Sequence, residues 1–311
     1  MQPRIIRRES QENLYYINRH KDLFDIEPSP LLVEFEAFAG WSRDWSQDCS
    51  CKVEGGRVLP ARFYLSRHHP QPSDHLAVRE LFRRVGSLPG SRLDYRWIDR
   101  FFTDRDDLAK VDQVLVAIDA RRDAPTLKYG VWLGDDPAYR DRAVAMLGNR
   151  PGFRDQLALA DYWQVDFSLR LDGRSAMELY LSFIDPDREP SRGRLAGWLP
   201  PIARRWPEES EVFGLGVETG RPRNVVYLIP RDPDTFISRL GNDAAQSVHA
   251  RCRGVALVNP SVGFPEERLI EGTTDALALE YTVRVNTRGE PEPAPKPASH
   301  GRVLPPVTQV R

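Results

Sequence analysis

Basic side chains recur on the polar faces of four predicted β-strands. Successive residues of a strand point to opposite faces, and each of these strands carries an apolar row opposite its basic residue. The basic residues are Lys52, Arg62, Lys128 and Arg174. If the polar faces meet in a common interior, their cations would bind a dianion. The alternative is that they face solvent, as most Lys and Arg side chains do.

Tyrosines accompany the basic residues on these faces. Tyr64 lies two positions after Arg62, and Tyr180 lies on the polar face of a later strand. The electron-rich face of a tyrosine ring attracts cations. On the first strand, Asp48 lies on the same side as Lys52 and adds a carboxylate to the set. The same interior would therefore offer aromatic surfaces and an acid beside an anion site.

The elements that would position these residues repeat along the chain. Segments with helical apolar periodicity alternate with pairs of strand-like segments. Tight turns, such as Gly55-Gly56 and Asp172-Gly173, join the strands of a pair. The hairpins are too regular for a doubly wound parallel sheet. About ten antiparallel strands with helices outside would form an α+β fold that closes into one barrel around a cavity.

The domain organisation is set by the point at which this pattern stops. The barrel is predicted to span residues 1–287 as a single domain. The remaining residues, 288–311, contain the proline-rich run EPEPAPKPASHGRVLPP. A polar, proline-rich run cannot bury enough apolar surface to fold, so we expect a disordered tail.

Composition narrows the class of protein. The chain has 311 residues, 41% of them hydrophobic, and a net charge of −1. Such a chain is not expected to bind nucleic acid through bulk charge, and no apolar run approaches the length of a membrane span. The N-terminus has no apolar signal segment, and three cysteines are too few for a disulfide scaffold. The expectation is a cytoplasmic monomer that binds neither nucleic acid nor membrane.

Five segments occur in a characteristic order. They are FDIEPSPLLVEFEAF (Phe24–Phe38), DCSCKVEGGRVLPARF (Asp48–Phe63), KVDQVLVAIDARRDAPTLK (Lys110–Lys128), LDGRSAMELY (Leu171–Tyr180) and NDAAQSVH (Asn242–His249). Together they resemble the cyanobactin peptide prenyltransferases, over about residues 9–285. The resemblance implies the ABBA prenyltransferase barrel, in which antiparallel strands are ringed by helices.

The resemblance also implies an activity. An isoprenyl group would pass from its diphosphate to a side chain of a peptide, usually a macrocyclic one of ribosomal origin, with release of diphosphate. Mg²⁺ would bind with the diphosphate, without dedicated metal ligands from the protein. The basic residues that match diphosphate-binding positions are Lys52, Arg62, Lys128 and Arg174. The tyrosines that match positions shielding the allylic cation are Tyr64, Tyr180, Tyr227 and Tyr281.

Two positions depart from the family pattern. Asp48 occupies the acidic position of the first strand, where Glu is expected, and would orient the acceptor and take its proton. The aspartate is shorter by one methylene group, so the acceptor would have to come closer. Trp132 stands where a basic residue is expected.

Small residues match the positions that set donor length in the family. Members that use a five-carbon donor have large aromatic residues there. The matching residues here are Ser66, Gly130, Val212 and Ser261. An open pocket favours a long donor by about 0.8 kcal/mol for each buried methylene group. The resemblance therefore predicts geranyl or farnesyl diphosphate as the donor.

Two other functions remain open. One is a small-molecule prenyltransferase of the same barrel type, which would act on an indole or a phenol. The other is a barrel that binds an isoprenoid or a peptide without turnover, and the departures at Asp48 and Trp132 are its support in the sequence.

Overall fold

The computed structural model describes residues 8–42, 45–103, 105–134, 136–148, 153–184, 186–187, 191–220, 224–254 and 257–283. The expected tail, 288–311, lies outside these residues. The strands are β1 (Ser46–Glu54), β2 (Arg57–His68), β3 (Gln113–Asp119), β4 (Thr126–Trp132), β5 (Tyr162–Arg170), β6 (Ser175–Ile184), β7 (Ser210–Glu218), β8 (Asn224–Pro230), β9 (Leu257–Pro265) and β10 (Ala276–Val283). All pairings are antiparallel, and β1 pairs with β10 to close a barrel. The predicted closed barrel is confirmed.

Helices precede the first strand and fill the connections between hairpins. They are α1 (Arg8–Phe24), α2 (Pro30–Ala39), α3 (Pro72–Gly86), α4 (Arg96–Phe101), α5 (Pro137–Leu147), α6 (Phe153–Leu159), α7 (Ser191–Trp198), α8 (Pro233–Arg239), α9 (Asp243–Gly254) and α10 (Glu266–Ile270). In the part of the chain that the structure describes, no helix is both long and apolar enough to cross a membrane.

Apolar side chains alternate to the outer face of the barrel, where the helices cover them. On β1 the outward residues are Cys49, Cys51 and Val53, all fully buried. Phe63 of β2 lies in the same cluster, 6.3 Å from the ring of Phe35 on α2. Burial of such a side chain contributes about 2 kcal/mol. The opposite, polar residues of each strand therefore face the interior of the barrel, which we call the lumen.

Two local features fix the register of β1 and β2. The hairpin turn between them uses Gly55 and Gly56, both at positive φ (54° and 78°), as a two-residue turn of this twist requires. A bulge lies further along the pair, because Ser50 is opposite Arg62 whereas Lys52 is opposite Leu59. The bulge sets the direction in which the lumenal side chains of both strands point.

Candidate functional site

Arg62 lies at the centre of a row of lumenal side chains on three strands. It is in register with Ser50 on β1 and Asp119 on β3. Its Nη1 donates a hydrogen bond to Ser50 Oγ (2.9 Å), and its Nη2 donates to the Tyr64 hydroxyl. Its Nε lies 3.6 Å from Asp119 Oδ2. These contacts hold the guanidinium in the lumen beside an aromatic ring.

Lys128 on β4 forms an ion pair with Glu178 on β6. Its Nζ lies 2.8 Å and 3.0 Å from the two carboxylate oxygens. Ser168 Oγ donates to the same carboxylate (2.8 Å), and so does the Tyr180 hydroxyl. Burial opposes ionisation, but Lys128 and these donors lower the pKa of Glu178 to about 2. The charge of Lys128 is therefore compensated within the protein.

Lys52 is a lumenal cation without such compensation. It makes no hydrogen bond or ion pair with any residue that the structure describes. Burial, together with the nearby cations of Arg62, Arg121 and Lys128, lowers the pKa of Lys52 to about 8 against the opposing effect of Asp119. Burial is the larger cause and the neighbouring cations add to it, so a bound anion would stabilise the charged form of Lys52.

Two tyrosine rings form a wall on the opposite side of the lumen. Tyr180 and Tyr227 meet edge to face, with their ring centroids 5.7 Å apart. Both rings lie over glycines of β7. A Cβ built on Gly216 would lie 2.7 Å from Tyr180 Cε1, and one built on Gly214 would lie 1.9 Å from Tyr227 Cζ. The two glycines therefore make the room in which the rings are seated.

Further carboxyl groups line the lumen between the cations and the tyrosines. Glu280 on β10 is in register with Ser50 and Ser261. Burial, with the charge of Asp48 added, raises the pKa of Glu280 to about 7. Asp166 on β5 accepts a hydrogen bond from Gln164 Nε2 (2.6 Å), and burial raises the pKa of Asp166 to about 6. Both groups titrate close to neutral pH.

Sequence reasoning missed Glu280 and Asp166 as lumenal residues. The signal was present, because Glu280 comes after Ala276 and Ala278 at a spacing of two, and Asp166 lies midway between Gln164 and Ser168. Strand alternation places both on polar faces. What alternation alone does not give is their burial inside a closed barrel.

Asp48, Tyr64 and the tyrosine wall are brought together in the lumen with the cations. Asp48 is in register with Tyr64 on β2 and with Thr282 on β10. The Arg62 guanidinium carbon lies 5.5 Å from the Tyr64 ring centroid. The Tyr227 hydroxyl hydrogen-bonds Ser182 Oγ. These groups thus share the lumenal face of the barrel.

Arg174 is not part of this site, and the expectation that it faces the lumen is wrong. It lies in the hairpin turn before β6, where strand alternation does not apply. Its side chain is 69% exposed, and its Nε donates to Asp172 Oδ2 (3.0 Å). Its charge is therefore held outside the barrel by Asp172.

Tyr281 also lies outside the lumen, which corrects its expected place in the cation shield. It comes directly after Glu280, so it points to the opposite face, and it is in register with the outward residue Cys49. Its ring packs against His249 of α9, with Tyr281 Oη 3.1 Å from His249 Nδ1. Tyr281 is a core residue between the sheet and a helix.

The residues predicted to set donor length divide into two groups. Gly130 does not open space, because a Cβ there would lie 2.3 Å from Asp166 Oδ1 and 3.0 Å from Gln164 Nε2. That expectation is corrected, since Asp166 fills the volume. The other three small residues, Ser66, Val212 and Ser261, do lie on lumenal faces. Ser66 is in register with Leu115 on β3, and Ser261 is in register with Glu280 on β10. Val212 is in register with Ile184 on β6 and with Ile229 on β8.

Trp132 lies on the lumenal face of β4, at the end of the strand beyond Gly130. Its ring centroid is 6.4 Å from that of Tyr162, at an angle of 70°. An aromatic pair therefore stands where the resemblance led us to expect a cation.

The Mg²⁺ expected from the resemblance would bind with the diphosphate, without dedicated ligands from the protein. Among the described residues, no three or more His, Cys, Asp or Glu side chains are grouped so that they could hold a metal ion. The carboxylate of Glu178 is committed to the ion pair with Lys128. The described residues do not provide a protein-built magnesium site.

The barrel is similar to solved prenyltransferase structures. The 5-dimethylallyltryptophan synthase of Streptomyces coelicolor is 11% identical with a TM-score of 0.61, and the match covers 88% of this chain and 96% of that chain. AnaPT of Neosartorya fischeri is 13% identical (TM-score 0.58; 90% and 94% covered). The 6-dimethylallyltryptophan synthase of Micromonospora olivasterospora, solved with DMASPP and Trp, is 15% identical (TM-score 0.55; 88% and 96% covered). The fold is thus the ABBA prenyltransferase barrel.

Sequence comparison assigns the chain to a family. The model of the family of unknown function DUF5838 matches residues 11–283, which include all ten barrel strands, and the chain belongs to this family. No sequence among curated proteins matches it.

Proposed function

We propose that this barrel is a peptide prenyltransferase, which transfers a geranyl or farnesyl group from its diphosphate to a side chain of a peptide and releases diphosphate. One observation carries the proposal: Lys52, a lumenal cation without an ion-pair partner among the described residues, lies near Arg62 and shares the lumen with a wall of tyrosines. The cations would bind the diphosphate group of an allylic diphosphate, and the tyrosine rings would face its allylic carbons, where positive charge develops.

Lys52 and Arg62 are the proposed diphosphate-binding residues. Each charge-assisted hydrogen bond to the anion contributes about 1.5–3 kcal/mol. These bonds strengthen as the C–O bond breaks and negative charge gathers on the leaving diphosphate, so they favour the transition state. Lys128, the third predicted cation that faces the lumen, remains paired with Glu178, so its charge is largely compensated. Mg²⁺, bound with the diphosphate, would neutralise part of the same charge.

The tyrosines would protect the allylic cation. Tyr64, Tyr180 and Tyr227 present rings toward the lumen, and a cation over a desolvated ring is stabilised by about 2 kcal/mol. The rings also keep water from the cation, which would otherwise be hydrolysed. Tyr180 and Tyr227 are held in place by their hydroxyl contacts to Glu178 and Ser182.

The acceptor would approach from the side of β1. The resemblance gives Asp48 the task of orienting the acceptor and taking its proton, and the lumenal position of Asp48 suits contact with a bound acceptor. The peptide acceptor rests on the resemblance of the sequence segments. The competing acceptor is a small aromatic molecule. Two of the similar solved structures suggest it: the 6-dimethylallyltryptophan synthase is in complex with Trp, and a second protein, NotF, is in complex with brevianamide F and DMSPP.

Donor length rests on Ser66, Val212 and Ser261, since Gly130 adds no room. Small side chains at these lumenal positions would admit a second or third isoprene unit more readily than aromatic ones. The gain is about 0.8 kcal/mol for each methylene group that leaves water.

Mass spectrometry of reaction products tests the proposal. The purified chain is mixed with dimethylallyl, geranyl and farnesyl diphosphate together, first with cyclic peptides that each carry one Tyr, Trp, His or Arg, and then with free Trp and simple phenols. We expect geranyl or farnesyl adducts on a peptide. A dominant dimethylallyl adduct would refute the donor, adducts on small aromatics alone would refute the peptide acceptor, and no adduct would favour a barrel that binds without turnover.

A further inference from the structure

We propose that Glu280 accepts the proton that the acceptor loses, and that Asp48, its diagonal neighbour where β1 pairs with β10, acts on the reaction through Glu280. The inference rests on the prenyl transfer proposed above. It moves to Glu280 the proton transfer that the sequence resemblance gave to Asp48.

Glu280 lies at the seam of the barrel, where β10 pairs with β1. It is in register with Ser50, and Asp48 is the next lumenal residue along β1. Diagonal neighbours on paired strands are about 7–8 Å apart, within reach of two acidic side chains that share one ligand. Glu280 makes no hydrogen bond or ion pair with the described residues. Its carboxyl group is therefore available to a bound acceptor.

The surroundings of Glu280 combine like and unlike charges. The groups on the lumenal faces around it are Asp48 and Lys52 on β1, Arg62 and Tyr64 on β2, Lys128 on β4 and Asp166 on β5, with the non-titrating Ser261 on β9. Burial and the charge of Asp48 raise the pKa of Glu280 to about 7, and Arg62 and Lys128 oppose the rise. Removal of the Asp48 charge therefore lowers the pKa of Glu280.

A base works best when its pKa lies near the working pH, because it is then both ionised and strongly basic. Glu280 meets this condition. In the reaction, the C1–O bond of the donor breaks and its electron pair leaves with the diphosphate. An electron pair of the acceptor forms the new bond to C1. The acceptor proton passes to a Glu280 carboxylate oxygen, which becomes a neutral acid, and no oxidant or reductant is needed.

The test compares Glu280→Gln, Glu280→Asp and Asp48→Asn with a matched control, Glu271→Gln, which changes an exposed glutamate at the end of α10. The full chain is used with geranyl diphosphate and the same panel of single-acceptor cyclic peptides and free Trp. The measurements are kcat/KM against pH, geranyl diphosphate binding by calorimetry, and thermal unfolding.

We expect Glu280→Gln to bind geranyl diphosphate but to lose about a hundredfold in turnover. In the wild-type chain kcat/KM should rise with pH up to about neutrality as Glu280 ionises, and in Glu280→Gln this rise should be absent. Glu280→Asp should keep that rise at a lower rate, which excludes misfolding as the cause. Asp48→Asn should move the rise from about 7 to lower pH, because the pKa of Glu280 falls.

The inference is overturned if Glu280→Gln turns over like the control, or if Asp48→Asn abolishes the acid limb and Glu280→Gln leaves it in place. In both cases an active wild-type chain leaves the proposed function intact. A wild-type chain that forms no adduct with any donor and acceptor overturns the proposed function, and this inference with it.

Discussion

The ring of Tyr227 lies directly over the α-carbon of Gly214 on the neighbouring strand, so close that a Cβ on the glycine would lie 1.9 Å from the ring carbon Cζ. The two residues are in register between β7 and β8. The absence of a side chain at Gly214 thus determines where the Tyr227 ring lies. Addition of a single methyl group at Gly214 is therefore enough to displace the ring.

Gly214→Ala should therefore lower both stability and turnover. Because the methyl group must push Tyr227 off its seat, we expect a loss of about 1–3 kcal/mol in the free energy of unfolding, as for other overpacked cores. Gly197→Ala is the matched control, since Gly197 is exposed on α7 with nothing within 4 Å of its Cβ. Chemical denaturation of both variants checks this. Equal stabilities would mean that the ring moves aside at no cost.

Lys52→Gln should weaken binding of geranyl diphosphate. Loss of a charge-assisted contact of about 1.5–3 kcal/mol corresponds to a factor of about ten to a hundred in Kd. Arg174→Gln is the control, because that side chain is exposed and held by Asp172. Calorimetry of both variants decides the point, and equal losses in the two would contradict the assignment of the anion site to the lumen.

Donor binding should also fall at alkaline pH. The pKa of Lys52 is lowered to about 8, so Lys52 loses its charge as the pH rises through that value, and a bound dianion favours the charged form. We expect the Kd for geranyl diphosphate to increase above about pH 8. In Lys52→Arg the guanidinium stays charged, and the increase should disappear. A pH dependence that persists in the arginine variant would point to another group.

Lys128→Met should destabilise the fold through Glu178. The carboxylate would stay buried without its cation, at a cost of about 3 kcal/mol at neutral pH. The pKa of Glu178 would then rise, so the deficit should shrink toward about pH 4, where a glutamate in the unfolded chain also binds its proton. Adding Glu178→Gln should restore most of the stability. Denaturant titrations at the two pH values measure this, and a constant deficit would argue against a buried charge.

Val212→Phe should shift donor preference toward dimethylallyl diphosphate. Val212 is buried on the lumenal face of β7, and an aromatic ring there removes room that a second isoprene unit would occupy. Val33→Phe, on the exposed side of α2, provides the control. The measurement is the product ratio when the three diphosphates compete. An unchanged ratio would mean that the prenyl chain lies elsewhere in the lumen.

The sequence predicted the barrel because each strand alternates and each hairpin has its turn residues, as at Gly55 and Gly56. The same alternation placed Arg62 and Lys128 on polar faces. It could not place Arg174, because a residue in a turn has no fixed face. Tyr281 was predicted from the family resemblance, although alternation next to Glu280 opposes that prediction.

Other features depend on register between strands that are distant in the chain. The pairing of Lys128 with Glu178 spans β4, β5 and β6, and the filling of the space at Gly130 by Asp166 needs the β4–β5 register. The registers of β4 with β5 and of β5 with β6 cannot be predicted from the sequence of either strand alone. The sequence therefore predicted the strands that form the lumen better than the ion pairs and carboxyl groups inside it.

The pairing of β1 with β10 also has a consequence for folding. Strands near opposite ends of the described chain must meet before the sheet closes, and contacts between distant segments form late because loop closure costs chain entropy. Asp48 and Glu280 lie on the two sides of that last junction. Lys52 and Arg62 on β1 and β2, and the tyrosines of β6 and β8, all precede β10 in the chain, so a chain still emerging from the ribosome would hold the cations and the tyrosines without Glu280. Activity would then appear only after β10 has paired with β1 and the barrel has closed.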